Sequence, residues 1–188
     1  EEVKTIDNTL ALEAASSARQ KALDSEADKS EPDLFNSIDF VYEAVKAKSE
    51  NGEDVSSDCA DLAKRYEALQ LYISAKEAKA KIDKTEVGSS LAQSVYDDGV
   101  KALEETESLF ADSSATGQDI LNSATKASAA FKSVLATVYK QLAKDARTAA
   151  FESKKLADSV KAGVSQKEKY NKGIDLFKKG DADYSTQR

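Results

Sequence analysis

The sequence predicts an all-α fold, an elongated array of antiparallel helical repeats that share long helices, and three observations predict it. Val55, Cys59, Leu62, Tyr66, Leu69 and Ile73 advance by alternating steps of four and three, which keeps all six on one face of a helix. Ile120, Ala124, Ala127, Phe131, Val134 and Val138 repeat that spacing, each 65 positions after its counterpart and again behind a Gly-x-Asp, which marks an internal repeat. Between Asp54 and Val87, and again between Gln118 and Ala162, there is neither Gly nor Pro, so nothing in the local chemistry interrupts a helix.

Taken in order, the elements read as a recurring helix A, helix B, Gly-containing turn and helix C. The first A lies near 8–29. The first B lies near 33–50, with Pro32 in its first turn, where the missing N–H costs nothing. Leu34, Ile38, Val41, Tyr42 and Val45 give that helix a stripe wide enough to face a core. C then runs near 54–73, a second A near 74–86, a second B near 89–112 and a second C near 118–140. A third A near 141–162 and a third B near 165–179 follow. Asp54 and Asp119 stand where a carboxylate caps the free N–H groups of the helix that follows. Phe35-Asn36, Tyr96-Asp97 and Tyr170-Asn171 open the B helices, and Gly52, Gly117 and Gly180 are expected to close them. Ala75-Lys76-Glu77-Ala78-Lys79 is answered by Ala143-Lys144-Asp145-Ala146-Arg147 and preceded by Ala15-Ser16-Ser17-Ala18-Arg19. The units are therefore 1–73, 74–140 and a partial 141–188.

Each C helix is expected to continue into the next A helix. The second such rod, at 1.5 Å per residue, is about 65 Å long, more than a small domain spans. Two layouts fit: spectrin-like three-helix units joined by shared helices, and a solenoid resembling tetratricopeptide repeats. The third unit stops at a Gly180-Asp181 pair without a C helix, so the chain reads as a fragment of a longer one.

Composition excludes several kinds of function. Hydrophobic residues make up 40% and charged residues 32% of 188, which suits helices with one buried stripe and wide solvated faces. A net charge of −7 argues against nucleic acid, whose binding needs clustered Lys and Arg. The charge is uneven: residues 140–188 hold 12 Lys and Arg against 7 Asp and Glu, leaving −12 on residues 1–139. That polarity is either drift in solvated faces, or it serves head-to-tail self-association or an anionic partner for the basic end. There is no His, and Cys59 is the lone Cys, so no internal disulfide and no Cys/His metal constellation can be built. No apolar run reaches the roughly 20 residues of a membrane span.

No catalytic constellation is legible, and the chain is read as a non-enzyme without cofactor or metal. Asp97-Asp98 and Glu104-Glu105 are neighbours in helices and point in different directions. Cys59 sits on the core stripe opposite Ala124 in the repeat, which calls for a small buried side chain. Asn51-Gly52-Glu53-Asp54 lacks the further ligands of a calcium loop. The least ordinary feature is the recurrence of Phe35, Tyr96 and Tyr170 at equivalent positions: packing is the first explanation, and a recurring partner contact the second.

The Ala-x-x-Ala-Arg/Lys helices, the aromatic starts Phe35-Asn36 and Tyr170-Asn171, and the Gly180-Asp181 pair resemble the tetratricopeptide-like helical repeats of exported spirochaete (treponemal) lipoproteins. That resemblance implies a lipid-anchored ectodomain in the periplasm or at the cell surface, acting as a scaffold or adhesion module. The lipidated Cys of such proteins is not in this sequence, and membrane contact would come only through that anchor. The expected function is a non-catalytic scaffold for a protein partner. The alternative is lipid or membrane-surface binding by amphipathic helices, which the acidic first 139 residues oppose.

Overall fold

The computed structural model describes residues 8–186, and among them every regular element is helical. In chain order these are α1 (Thr9–Asp24), the single turn α2 (Ala27–Ser30), α3 (Pro32–Glu50), α4 (Ser56–Asp83), a 3-10 segment (Gly88–Ala92), α5 (Gln93–Ala111), α6 (Gly117–Ser159), the single turn α7 (Ala162–Ser165) and α8 (Lys167–Ser185). The all-α expectation is met. The two stretches without Gly or Pro form uninterrupted helices, α4 of 28 residues and α6 of 43.

Helix ends follow local chemistry, not always as expected. Pro32 takes the first turn of α3. Gly52 closes that helix with φ 80°, a backbone state that costs other residues a steric clash. The N-cap of α4 is Val55, not Asp54; Asp54 stands one residue ahead of it, its carboxylate accepting the Ser56 N–H at 3.0 Å in a local turn. Asp119, likewise, is not the cap of α6. Thr116 is: its hydroxyl accepts the Asp119 N–H at 3.2 Å while Asp119 accepts the Thr116 N–H at 3.2 Å, a reciprocal box. Gly117 and Gly180 close nothing. Gly117 starts α6, and Gly180 lies inside α8 without a positive φ. Gly117 is required by closeness, since a Cβ there would stand 2.3 Å from the Asp61 carbonyl oxygen.

The region expected as one helix A over 8–29 is broken. Glu26 adopts the left-handed conformation at φ 57°, ends α1 and starts α2. Nothing in its side chain favours that state, so sequence reading had no signal for it.

The chain forms two compact units, Glu1–Leu135 and Ala136–Arg188, and α6 contributes to both. All twelve residues of the in-register stripes are buried, none more than 9% exposed. In the first unit α4 is the central helix. Its first half packs on α1 and α3, with the Tyr66 ring 5.9 Å from Phe35 and 6.4 Å from Tyr42. Its second half meets α5 through Tyr72, edge-on to Phe110 at 5.8 Å and donating its hydroxyl to Glu107 at 2.6 Å. α5 in turn lies on the start of α6: Tyr96 stands edge-on to Phe131 at 5.6 Å, and Ser123 donates to the Ala102 carbonyl at 2.9 Å. Burial of such large side chains stabilises by about 1.5–3 kcal/mol each.

Candidate helix-docking groove

Among the described residues no group of acidic or Cys side chains is placed to hold a metal ion, and no helix is long and apolar enough to cross a membrane. Cys59 is 1% exposed, and burial pushes its thiol above the usual value, with Asp58 adding to the shift. The chemistry of interest is instead a pair of side-chain clusters, one in each unit.

The first cluster is built on α1. Ala15, Ala18, Arg19 and Ala22 share one face by their three- and four-residue spacing. Arg19 turns its guanidinium over the rings of Phe35 and Tyr42 of α3, at 5.8 and 5.7 Å, and grips Asp39 with two donors, Nη2 at 3.0 Å and Nε. Tyr66 of α4 closes the cluster by donating its hydroxyl to Asp39 at 2.9 Å. The Arg19 bond holds the Asp39 carboxyl below its usual range against the opposing effect of burial, and Tyr66 helps. Burial, then the Asp39 carboxylate, pushes the Tyr66 hydroxyl well above the ordinary phenol value.

The second cluster reuses that spacing. Ala143, Ala146, Arg147 and Ala150 stand on α6 as Ala15, Ala18, Arg19 and Ala22 stand on α1. Arg147 Nε donates to Asp181 of α8 at 2.6 Å, and the guanidinium lies 4.9 Å from the rings of both Phe151 and Tyr184. Phe151 meets Phe177 edge-on at 4.7 Å. Phe177, Asp181 and Tyr184 are spaced along α8 as Phe35, Asp39 and Tyr42 are along α3.

The turns beneath the two clusters also match. Lys161 holds φ 56° as Glu26 holds 57°, one at the head of α7 and the other at the head of α2. The Glu31 N–H bonds to the Ala27 carbonyl at 3.0 Å, and the Gln166 N–H bonds to the Ala162 carbonyl at 2.8 Å. Arg19 lies seven residues before Glu26 and Arg147 fourteen before Lys161, while Asp39 lies thirteen after the turn residue and Asp181 twenty after. The second cluster has thus moved seven residues, about two helical turns, up both arms of an antiparallel pair, which keeps the same faces opposed.

What covers the two clusters differs. Ala15 and Ala22 are 0% exposed, with α4 packed on α1. Ala143 and Ala150 are exposed and line an open, largely apolar groove of about 740 Å³, with Gly173, Phe177, Gly180 and Tyr184 on the α8 side. The carboxylate of Asp181, which lines the groove, accepts only from Arg147 among the described residues. The tips of the turns differ too. Lys21, Ser25 and Lys29 in the first unit stand where the second has Leu156, Val160 and Val164, which are 67, 64 and 85% exposed.

The three aromatics do hold equivalent places. Phe35, Tyr96 and Tyr170 each lie four residues after the N-cap residue of their helix, Glu31 (φ −138°), Ala92 (φ −151°) and Gln166 (φ −136°). They serve different ends. Phe35 is 4% exposed and faces the core, so a partner cannot reach it. Tyr96 is half-buried, with its hydroxyl on Asp83 at 2.6 Å and Lys79 over its ring at 5.5 Å. Tyr170 bonds Asp158 and lines the groove. Sequence reading missed Asp39 and Asp181; the signal was the recurring spacing of Phe, Asp and Tyr on the B helices. It also missed Asn8, whose amide donates to Ser49 at 3.0 Å and to the Glu53 carbonyl at 2.8 Å, tying the start of α1 to the end of α3.

The chain matches no protein-family model, and neither a curated protein nor a solved structure is recognisably similar to it.

Proposed function

We propose that this chain is a non-catalytic scaffold of three-helix repeats sharing their long helices, and that it binds a protein partner through the groove between α6 and α8. One observation carries the reading: the same Ala and Arg spacing that is sealed beneath α4 in the first unit is exposed to solvent in the second. Wide exposed apolar surface of this kind is characteristic of interaction sites. The spectrin-like layout is preferred to a solenoid because α4 serves the α1–α3 pair with one half and α5 with the other.

A photo-reactive side chain placed at Leu176, which is 65% exposed, tests the reading in the native cell extract. A discrete protein adduct that disappears when Ala150→Glu is added supports it. No adduct, or one indifferent to Ala150→Glu, sinks it. The resemblance to exported lipoproteins adds the proposal of an ectodomain in the periplasm or at the cell surface, which fractionation of the native protein decides.

A second reading, contact with an anionic membrane surface, is favoured by the tip of the second unit. Leu156, Val160 and Val164 are exposed among Lys154, Lys155, Lys161 and Lys167. Flotation with anionic vesicles at low salt, abolished by Val160→Asp with Val164→Asp, would support it; failure of the wild-type chain to float ends it.

A further inference from the structure

We propose that the occupant of the α6–α8 groove is an amphipathic helix of the same kind as α4, supplied by a different protein and seated with a tyrosine on Asp181. The inference rests on the scaffold reading and names the partner. The first unit shows what such a face accepts: a helix whose apolar residues advance by fours and threes, with Cys59, Leu62, Leu69 and Ile73 buried and Tyr66 donating to Asp39 from the middle of the stripe. In the second unit the floor is prepared in the same way. Ala143, Ala146 and Ala150 leave room for close helix approach, and Gly173 and Gly180 do so from α8, where an added Cβ would meet nothing within 4 Å. Asp181 keeps acceptor capacity for a hydroxyl, since Arg147 engages it through one nitrogen where Arg19 engages Asp39 through two.

Charge selects the flanks of the incoming helix. The unit Ala136–Arg188 carries twelve Lys and Arg against seven Asp and Glu, so flanks richer in carboxylates are drawn to it. Over its first half α4 carries Asp58, Asp61 and Glu67 against Lys64 and Arg65, a small acidic excess, and Asp58 takes Lys48 of α3 at 2.9 Å. A second folded copy of this chain is a poor donor, because both of its in-register stripes are already buried. The seven-residue displacement of the Arg147 cluster sets the seat of the helix: its tyrosine lies about two turns further from the hairpin tip than Tyr66 does in the first unit.

The test uses the full chain and a labelled synthetic peptide of residues 54–76 as a stand-in for the partner helix. Fluorescence anisotropy is expected to show saturable binding with Kd on the order of 10 µM. Tyr66→Phe in the peptide weakens it about fivefold, by loss of one hydrogen bond. Ala150→Glu in the chain, an exposed site that leaves the fold unchanged by circular dichroism, weakens it more than about tenfold, because a larger, charged side chain would stand where the docked helix must lay its apolar stripe. No saturation below 1 mM (the roughly 4 kcal/mol level), or affinity indifferent to either substitution, overturns the proposal. So does a wild-type chain that sediments as a dimer dissociated by the peptide, which would assign the groove to a second copy, or vesicle flotation competed by the peptide, which would assign it to lipid. If the peptide fails while the Leu176 adduct persists, the helix is the wrong partner and the scaffold reading stands; if both fail, both fall.

Discussion

The pairs α1–α3 and α6–α8 are built from the same parts, yet Ala15 and Ala22 are sealed while Ala143 and Ala150 are open to water. Each pair has a basic residue clamped over aromatic rings, an Asp to receive it and a left-handed residue at the turn. The difference is the third helix. Two facing helices with small residues along the seam leave a trough, and only a further helix laid in it removes the apolar floor from solvent. Local sequence therefore specifies the pair, and burial of its outer seam is a separate event.

The comparison breaks most visibly at large core side chains. Leu62→Ala empties a site that is 1% exposed and is expected to cost about 2–5 kcal/mol, whereas Leu176→Ala, on a side chain 65% exposed, should stay within about 0.5 kcal/mol by urea unfolding. Equal losses would show that the second groove is already filled. Next come the aspartates. Asp39→Ala strands Arg19 and Tyr66 together and should cost about 2–3 kcal/mol, while Asp181→Ala breaks a more solvated pair worth about 1 kcal/mol or less.

The Asp39 carboxyl also has a pH signature. Its folded value lies below the ordinary one, so the stability it contributes is fully present above about pH 4 and is lost as pH falls through the folded value. Thermal unfolding of Asp39→Asn should have a flatter acid limb than wild type; an identical limb would remove Asp39 from the account.

A matched pair of enlargements sharpens the contrast further. Ala22→Leu overfills a sealed seam and should cost about 1–3 kcal/mol, while Ala150→Leu projects into the open groove and should cost nothing measurable. The smallest effect is one in which the two regions should agree. Glu26→Gly and Lys161→Gly each relieve a left-handed residue and should stabilise by about 0.5–1 kcal/mol. A loss at either would mean that its side chain supports the turn.

Much of the fold was readable without coordinates. Val55 to Ile73 and Ile120 to Val138 declared themselves by spacing, because a helix brings positions three and four apart onto one face whatever surrounds it. The rods through α4 and α6 followed from the absence of Gly and Pro. Boundaries were harder. Asp119 looked like a cap and proved to be the far half of a box headed by Thr116, and Gly180 looked like a terminator and sits inside α8. The site was less legible still. Arg19 and Asp39 are twenty residues apart and Arg147 and Asp181 thirty-four, and no local rule pairs residues across a turn whose left-handed hinge is a Glu or a Lys.

The amino-acid sequence by itself determined that the chain is helical, where the long helices run uninterrupted, and which face of each is apolar, since these depend on interactions within a few turns. Tertiary structure decided which apolar faces leave water. That choice depends on whether a distant helix lies across the face, so that one pattern of Ala and Arg becomes core beneath α4 and open groove between α6 and α8.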